Sequence, residues 1–210
     1  MKDIKWIFFD IGYTLVNEDE IWQKRIEDTI KIAKEEGIKT SYVEIYDALL
    51  NAAQNYQSQA KTAAKTIGVS HFGDYCPEHE ILYPDVTLVL QQLKSKYQLG
   101  VIANQCANLE ERLAKLQIRE YFDLIVSSHD VNLAKPDQKI FILALKQANC
   151  QAENAAMVGD RLDNDIVPAK TLGMKTVRIK QGIGAIQKPL NHSSTPNFTI
   201  NTIKELLTIF

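Results

Sequence analysis

Apolar residues along this chain follow two alternating patterns. Short unbroken runs occur from Trp6 to Phe9, Leu99 to Ala103 and Ala155 to Val158, and Asp123 to Val126 and Lys175 to Ile179 also read as strands. Runs of this length, bounded by polar residues or glycine, read as strands buried on both faces. Between them apolar residues recur at helical spacing: Val86, Leu90, Leu93 and Tyr97, then Leu109, Leu113 and Leu116, then Ile140, Phe141, Ala144, Leu145 and Ala148. Pro84 suits the first turn of the first of these helices. Asp165 through Leu172 reads as another helix, stopped by Gly173. Gln181 to Pro196, rich in Gly, Pro, Asn and Ser, reads as irregular. Asn197 to Ile200 is a short edge strand, and Thr202-x-x-Glu205 caps a final helix.

The stretch from Val16 to Leu82 shows no strand pattern. Asn17-x-x-Glu20 resembles a capping box, followed by Trp22, Ile26, Ile30 and Ala33 on one helical stripe and a stop at Gly37. Ser41-x-x-Glu44 opens a second helix, expected to bury Val43, Tyr46, Leu50 and Ala53. A third, Ala-rich helix carries Ala60, Ala63, Ala64 and Ile67 and ends at Gly68. The whole therefore reads as α/β: a Rossmann-like parallel sheet flanked by helices, because strands alternating with helices of this length build right-handed βαβ units. A small all-helical cap is inserted after the first strand. The expected division is residues 1–15 and 83–210 for the core and 16–82 for the cap.

Four polar residues, Asp10, Asn104, Ser127 and Asp160, each fall just past a predicted strand. In open α/β sheets the carboxyl ends of the strands are where ligands bind, so these positions define one candidate site. Asp163 and Asp165 follow within a turn of Asp160. Carboxylates gathered at one sheet edge repel each other unless a cation sits among them. Hard oxygen ligands of this kind suit Mg²⁺. Lys135, in a loop fixed by Pro136, is the candidate cation to hold a nucleophile ionised. His71, Cys76 and His79 share a loop, but no fourth ligand at a recognisable spacing supports zinc.

Composition narrows the partners. The chain has 210 residues, is 45% hydrophobic and 24% charged, and carries a net charge of −2. Without a long basic run, neither nucleic acid nor a membrane surface is an expected partner. Cys76, Cys106 and Cys150 are widely spaced and suggest no disulfide framework. No signal-peptide pattern is read at the start and no transmembrane run, so a cytoplasmic location is expected. Nothing in the sequence sets the oligomeric state.

Asp10-x-Gly12-x-Thr14-Leu15, strand-final Asn104, Lys135-Pro136-Asp137 and Gly159-Asp160-x4-Asp165 occur in the order and spacing of the haloacid dehalogenase-like hydrolase superfamily, and the chain resembles its small-helical-cap branch over nearly its whole length. The resemblance implies Asp10 as a nucleophile that forms a covalent aspartyl intermediate. It implies that Asp10, the Gly12 carbonyl, Asp160 and Asp165 hold Mg²⁺, and that Lys135 neutralises the nucleophile. Thr14, Asn104 and Gln105 are the expected contacts to a phosphoryl group, and the expected substrate is a small phosphorylated metabolite.

Two departures from the family pattern stand out. The residue two past the nucleophile is usually a second Asp, which protonates the leaving oxygen and then activates water; here it is Gly12. The residue before the strand-final Asn is usually Ser or Thr; here it is Ala103. General acid–base help is worth about 10²–10⁴ in rate, so its loss implies a bias towards activated phosphates. On that reading Gly12→Asp should raise monoester turnover. Gly12 also suits two alternatives: a dehalogenase-like enzyme, whose halide leaves without an acid, or a catalytically weakened binding protein.

Overall fold

The structure is a computed structural model and describes residues 3–210. Its centre is a six-stranded sheet. Strand β1 (Trp6–Phe9) is followed by a two-stranded neck, β2 (Val16–Asn17) and β3 (Ile81–Leu82). Then come β4 (Gln98–Ala103), β5 (Leu124–Ser127), β6 (Ala155–Gly159), β7 (Lys175–Ile179) and β8 (Phe198–Ile200). The sheet order is β5-β4-β1-β6-β7-β8, and every pairing in it is parallel.

The two faces of β1 show why the run is unbroken. Ile7 and Phe9 point into one core with residues of α4 (Val86–Lys94), α5 (Leu109–Lys115) and α9 (Leu206–Ile209). Trp6 and Phe8 point into the other, with α7 (Gln138–Gln147) and Ala169 of α8 (Val167–Thr171). A central parallel strand alternates between two apolar faces, so every position must be apolar. A short helix, α6 (Ser128–Val131), follows β5 directly. Gly100 in β4 is packed against Phe8: a side-chain carbon there would lie 2.6 Å from the ring.

The segment expected as a cap folds into three helices, α1 (Asp19–Glu35), α2 (Tyr42–Gln54) and α3 (Gln59–Ile67), around their own apolar cluster, to which Tyr13 and Ile183 also belong. Among the described residues no helix is long and apolar enough to cross a membrane.

Several local expectations are corrected. The neck strands lie where no strand pattern was read, because two residues per strand are too few to show alternation. Helix α1 begins at Asp19 without a side-chain cap; Asn17 Oδ1 instead accepts from the Asp19 N–H at 2.8 Å. The buried face of α2 is Ile45, Ala48, Leu49, Ala52 and Ala53, whereas Val43 is 65% exposed and Tyr46 is also exposed. Two apolar stripes compete on that helix, and the one with small residues wins because α3 packs close against it. Helix α4 starts at Val86, beyond Pro84, with Asp85 at φ 66°. Asp165 lies in a π-helical turn, Leu162–Ile166, that precedes α8.

Candidate active site

Asp10, Asn104 and Asp160 sit at the carboxyl ends of the neighbouring strands β1, β4 and β6. The chain leaves β1 after the Asp10 N–H donates to the Val158 carbonyl at 2.9 Å. The π-helical turn after β6 carries Asp165 back under that edge. Gly159 makes this possible, since a side-chain carbon there would lie 2.5 Å from the Asp165 Cβ. Lys135 enters from the loop after α6, and Asn104 grips it by the backbone. Asn104 Nδ2 donates to the Lys135 carbonyl at 2.8 Å, and Asn104 Oδ1 accepts from the Lys135 N–H at 2.7 Å.

The Lys135 ammonium then reaches Asp10 Oδ1 at 2.8 Å and Asp165 Oδ1 at 2.6 Å. It is 1% exposed, as is fitting for a charge held between two opposite ones. Burial works against its charge, but the carboxylates of Asp10 and Asp165 more than offset this and raise it. Burial, with Asp165 and Asp10 adding repulsion, pushes the Asp160 carboxyl well above the ordinary carboxylate range. Asp165 is pushed up to about 6, because burial outweighs the attraction of Lys135.

Oxygen atoms of Asp10, Asp160 and Asp165 all lie within 4.8 Å of one another. Three carboxylates against one ammonium leave the cluster with an excess of negative charge. Hard oxygen donors carrying that excess fit a small divalent cation such as Mg²⁺.

Asp10, Asp160 and Lys135 form one wall of a cavity of about 560 Å³, whose other walls include Glu18, Trp22, Arg25, Gln59 and Tyr75. Gln105 lines it, but its side-chain oxygen accepts from Arg112 Nη2 at 2.5 Å and its N–H donates to Ser128 Oγ at 3.0 Å. Asn104 lines it with both ends of its amide committed to Lys135. Thr14 is fully buried, is not among the residues lining the cavity, and its hydroxyl has no hydrogen-bond partner among the described residues.

The cavity wall also holds Arg25 and Glu18, which carried no role in the sequence, and Arg161, whose place directly after Asp160 had suggested that it faces the site. Arg25 holds its guanidinium over the Trp22 ring at 4.4 Å and donates through Nε to the Gly73 carbonyl at 2.8 Å. Arg161 pairs with Asp163 and reaches Gln59 Oε1 at 3.3 Å. Glu18 is the least expected. Its carboxylate is buried, accepts from the Trp22 indole N–H at 3.1 Å and lies 3.0 Å from the Tyr75 hydroxyl. Burial raises it to about 7, with the Asp10 charge adding to the rise and the hydrogen bonds opposing it. The only sequence signal was the i, i+4 spacing of Glu18 and Trp22, which brings an acceptor and an indole donor together on one helical face.

Residues 7–179 match the haloacid dehalogenase-like hydrolase family. Over 98% of its length the chain is 31% identical to the glyceraldehyde 3-phosphate phosphatase of Methanopyrus kandleri, covering 97% of that protein. It is 25% identical over 98% of its length to the pyrophosphatase PpaX of Bacillus cereus, covering 96% of it. Its fold superposes on the crystal structure of a phosphatase of the same family from Thermococcus onnurineus with a TM-score of 0.70, at 23% identity, over 98% of this chain and 97% of the other.

Proposed function

The chain belongs to the haloacid dehalogenase-like hydrolases, and from that premise we propose that it is a Mg²⁺-dependent phosphatase acting on a small phosphorylated metabolite. The observation that carries this reading is the cluster of Asp10, Asp160 and Asp165 bridged in part by Lys135. Displacement at carbon by Asp10 alone has no use for the other two buried acids, whereas a phosphoryl group brings negative charge that a cation must offset. That favours phosphoryl transfer over dehalogenation, and an intact nucleophile–lysine pair speaks against a decayed binding protein. The relatives named for glyceraldehyde 3-phosphate and pyrophosphate give the size and charge of substrates to test first.

Asp10, the Gly12 carbonyl, Asp160 and Asp165 are the residues to hold Mg²⁺, with Asp165 acting directly or through water. Once bound, the ion screens the phosphoryl oxygens and the carboxylates from each other. Asp10 attacks phosphorus in line and forms an aspartyl-phosphate. Lys135 keeps Asp10 ionised and offsets charge on the transferring group, which supplies much of phosphoryl-transfer catalysis. The cap walls exclude bulk water and strengthen each of these interactions. Arg25 and Arg161 add positive charge to the cavity for the remainder of an anionic substrate.

The test is release of inorganic phosphate from glyceraldehyde 3-phosphate, pyrophosphate and acetyl phosphate, with MgCl₂ or with EDTA. Phosphate should appear only with Mg²⁺ and vanish in Asp10→Asn. No release from any phosphorylated metabolite in a broad panel, with halide release from haloacids in EDTA, would overturn the reading.

A further inference from the structure

We propose that Glu18 supplies the general acid and base that Gly12 cannot. The ground is spatial. Position 12 has no side chain, yet the space into which one would grow is filled. A carbon added at Gly12 would lie 2.7 Å from Cδ and 2.9 Å from Oε2 of Glu18, and closer still to Oε1. The carboxyl group therefore stands beside the place where a side chain of residue 12 would start, delivered from six residues further along the chain. The neck makes the detour. Tyr13 takes φ 50°, β2 pairs with β3, and Glu18 then heads α1 with its side chain turned inward. Glu18 also lines the same cavity as Asp10 and Lys135.

The hydrogen-bond partners of Glu18 suit a group that cycles between two protonation states. The Tyr75 hydroxyl lies 3.0 Å from Glu18 Oε1 and 2.8 Å from Glu80 Oε1. Glu80 is tied to Arg112 Nη2 at 2.5 Å and is the charged partner. One phenolic proton cannot serve two carboxylate oxygens. The Tyr75 hydroxyl can therefore donate to the Glu18 carboxylate, or donate to Glu80 and accept from a protonated Glu18, so one contact serves both forms of the group. The Trp22 N–H accepted by Oε2 orients the group.

The role rests on the phosphatase reading above. Asp10 attacks phosphorus as the phosphorus–oxygen bond to the leaving group breaks; the electron pair goes to that oxygen, which takes the proton of Glu18 and departs as an alcohol. The Glu18 carboxylate then takes a proton from water. The water oxygen attacks the aspartyl-phosphate, the bond to Asp10 breaks with its electron pair returning to the carboxylate, and inorganic phosphate leaves. Glu18 is protonated again. With this acid in place the ground for a bias towards activated phosphates disappears.

Glu18→Gln keeps the shape and one acceptor but cannot exchange a proton. With glycerol 3-phosphate its turnover should fall by about 10²–10⁴. Acetyl phosphate, whose leaving group needs no proton, should still phosphorylate the protein, and acid quenching should trap labelled phosphoenzyme that wild type clears. Wild-type turnover of glycerol 3-phosphate, or an equal loss on both substrates without trapped phosphoenzyme, would overturn the role. A reciprocal exchange covers a folding failure. Gly12→Asp alone should lose activity through its collision with Glu18, and Gly12→Asp with Glu18→Ala should regain at least tenfold over Glu18→Ala. An exchange no better than Glu18→Ala would equally overturn it. Failure of wild type on every phosphate would instead sink the phosphatase reading, so the two failures are distinct.

Discussion

At the scale of residues, the grouping of charged side chains was legible where they stand at strand ends and hidden where the chain folds back on itself. Asp10, Lys135, Asp160 and Asp165 follow strands or sit in a proline-fixed loop, and the structure brings their charged ends together. Asn104 was read as a possible donor to a phosphoryl oxygen, with Gln105 as a substitute; both ends of the Asn104 amide bond Lys135, whereas Gln105 engages only its side-chain oxygen, with Arg112. Glu18 was invisible because its partner Tyr75 is 57 residues away. Its environment has a consequence for stability. Glu18 is held near 7 in the fold against 4.5 for the free side chain. The folded state thus binds the proton more tightly, and the stability this gives is complete below the free value and lost as pH rises through the folded one. Glu18→Gln has no proton to lose. Relative to wild type it should gain about 3 kcal/mol between pH 4.5 and pH 7 and above. Urea unfolding of both proteins across that range measures the difference, and parallel pH profiles would contradict it.

At the scale of elements, the short apolar runs announced the central strands because both faces of β1 pack into apolar cores, and the alternation with helices set the parallel topology. Boundaries were less legible where backbone geometry decides. Asp85 opens α4 in a left-handed conformation that no propensity signals, and a π-helical turn inserts one extra residue before α8 to place Asp165. The capping box of α2 was readable, since its two partners are local: Ser41 Oγ accepts from the Glu44 N–H, and Glu44 Oε2 accepts from the Ser41 N–H at 2.8 Å. Ser41→Ala should cost about 1 kcal/mol in denaturant unfolding and leave turnover unchanged, because the cap end of α2 that carries it is away from the cavity wall. A loss of activity without a loss of stability would show that α2 does more than support the cap.

At the scale of the whole molecule, the question is what holds the cap over the site. The neck is two residue pairs wide and cannot fix an orientation by itself. The rest comes from the irregular segment after β7 and the turn after β6, neither of which announced a structural role in the sequence. Gln187, 2% exposed, is the centre of it. Its amide donates to the Ala53 carbonyl of the cap at 3.0 Å and to Asp163 Oδ1 at 2.9 Å, and its oxygen accepts from the Leu162 N–H at 2.7 Å. Arg161 adds bonds to the Gln57 carbonyl at 3.2 Å and to Gln59, and the exposed Tyr56 hydroxyl reaches the Lys188 carbonyl at 3.0 Å. A single buried amide that bonds cap backbone, core backbone and a core carboxylate at once ties the two bodies together. Gln187→Leu preserves volume but leaves the buried Leu162 N–H without its acceptor and takes one donor from the Ala53 carbonyl and one from Asp163, at a cost of about 1–3 kcal/mol. Tyr56→Phe removes only a solvent-exposed bond and should change stability by less than about 0.5 kcal/mol. The Leu variant should also be cleaved faster by a nonspecific protease between α2 and α3, where the cap meets Gln187. If it unfolds and digests like Tyr56→Phe, the cap is held by its apolar contacts with Tyr13 and Ile183 and not by this amide.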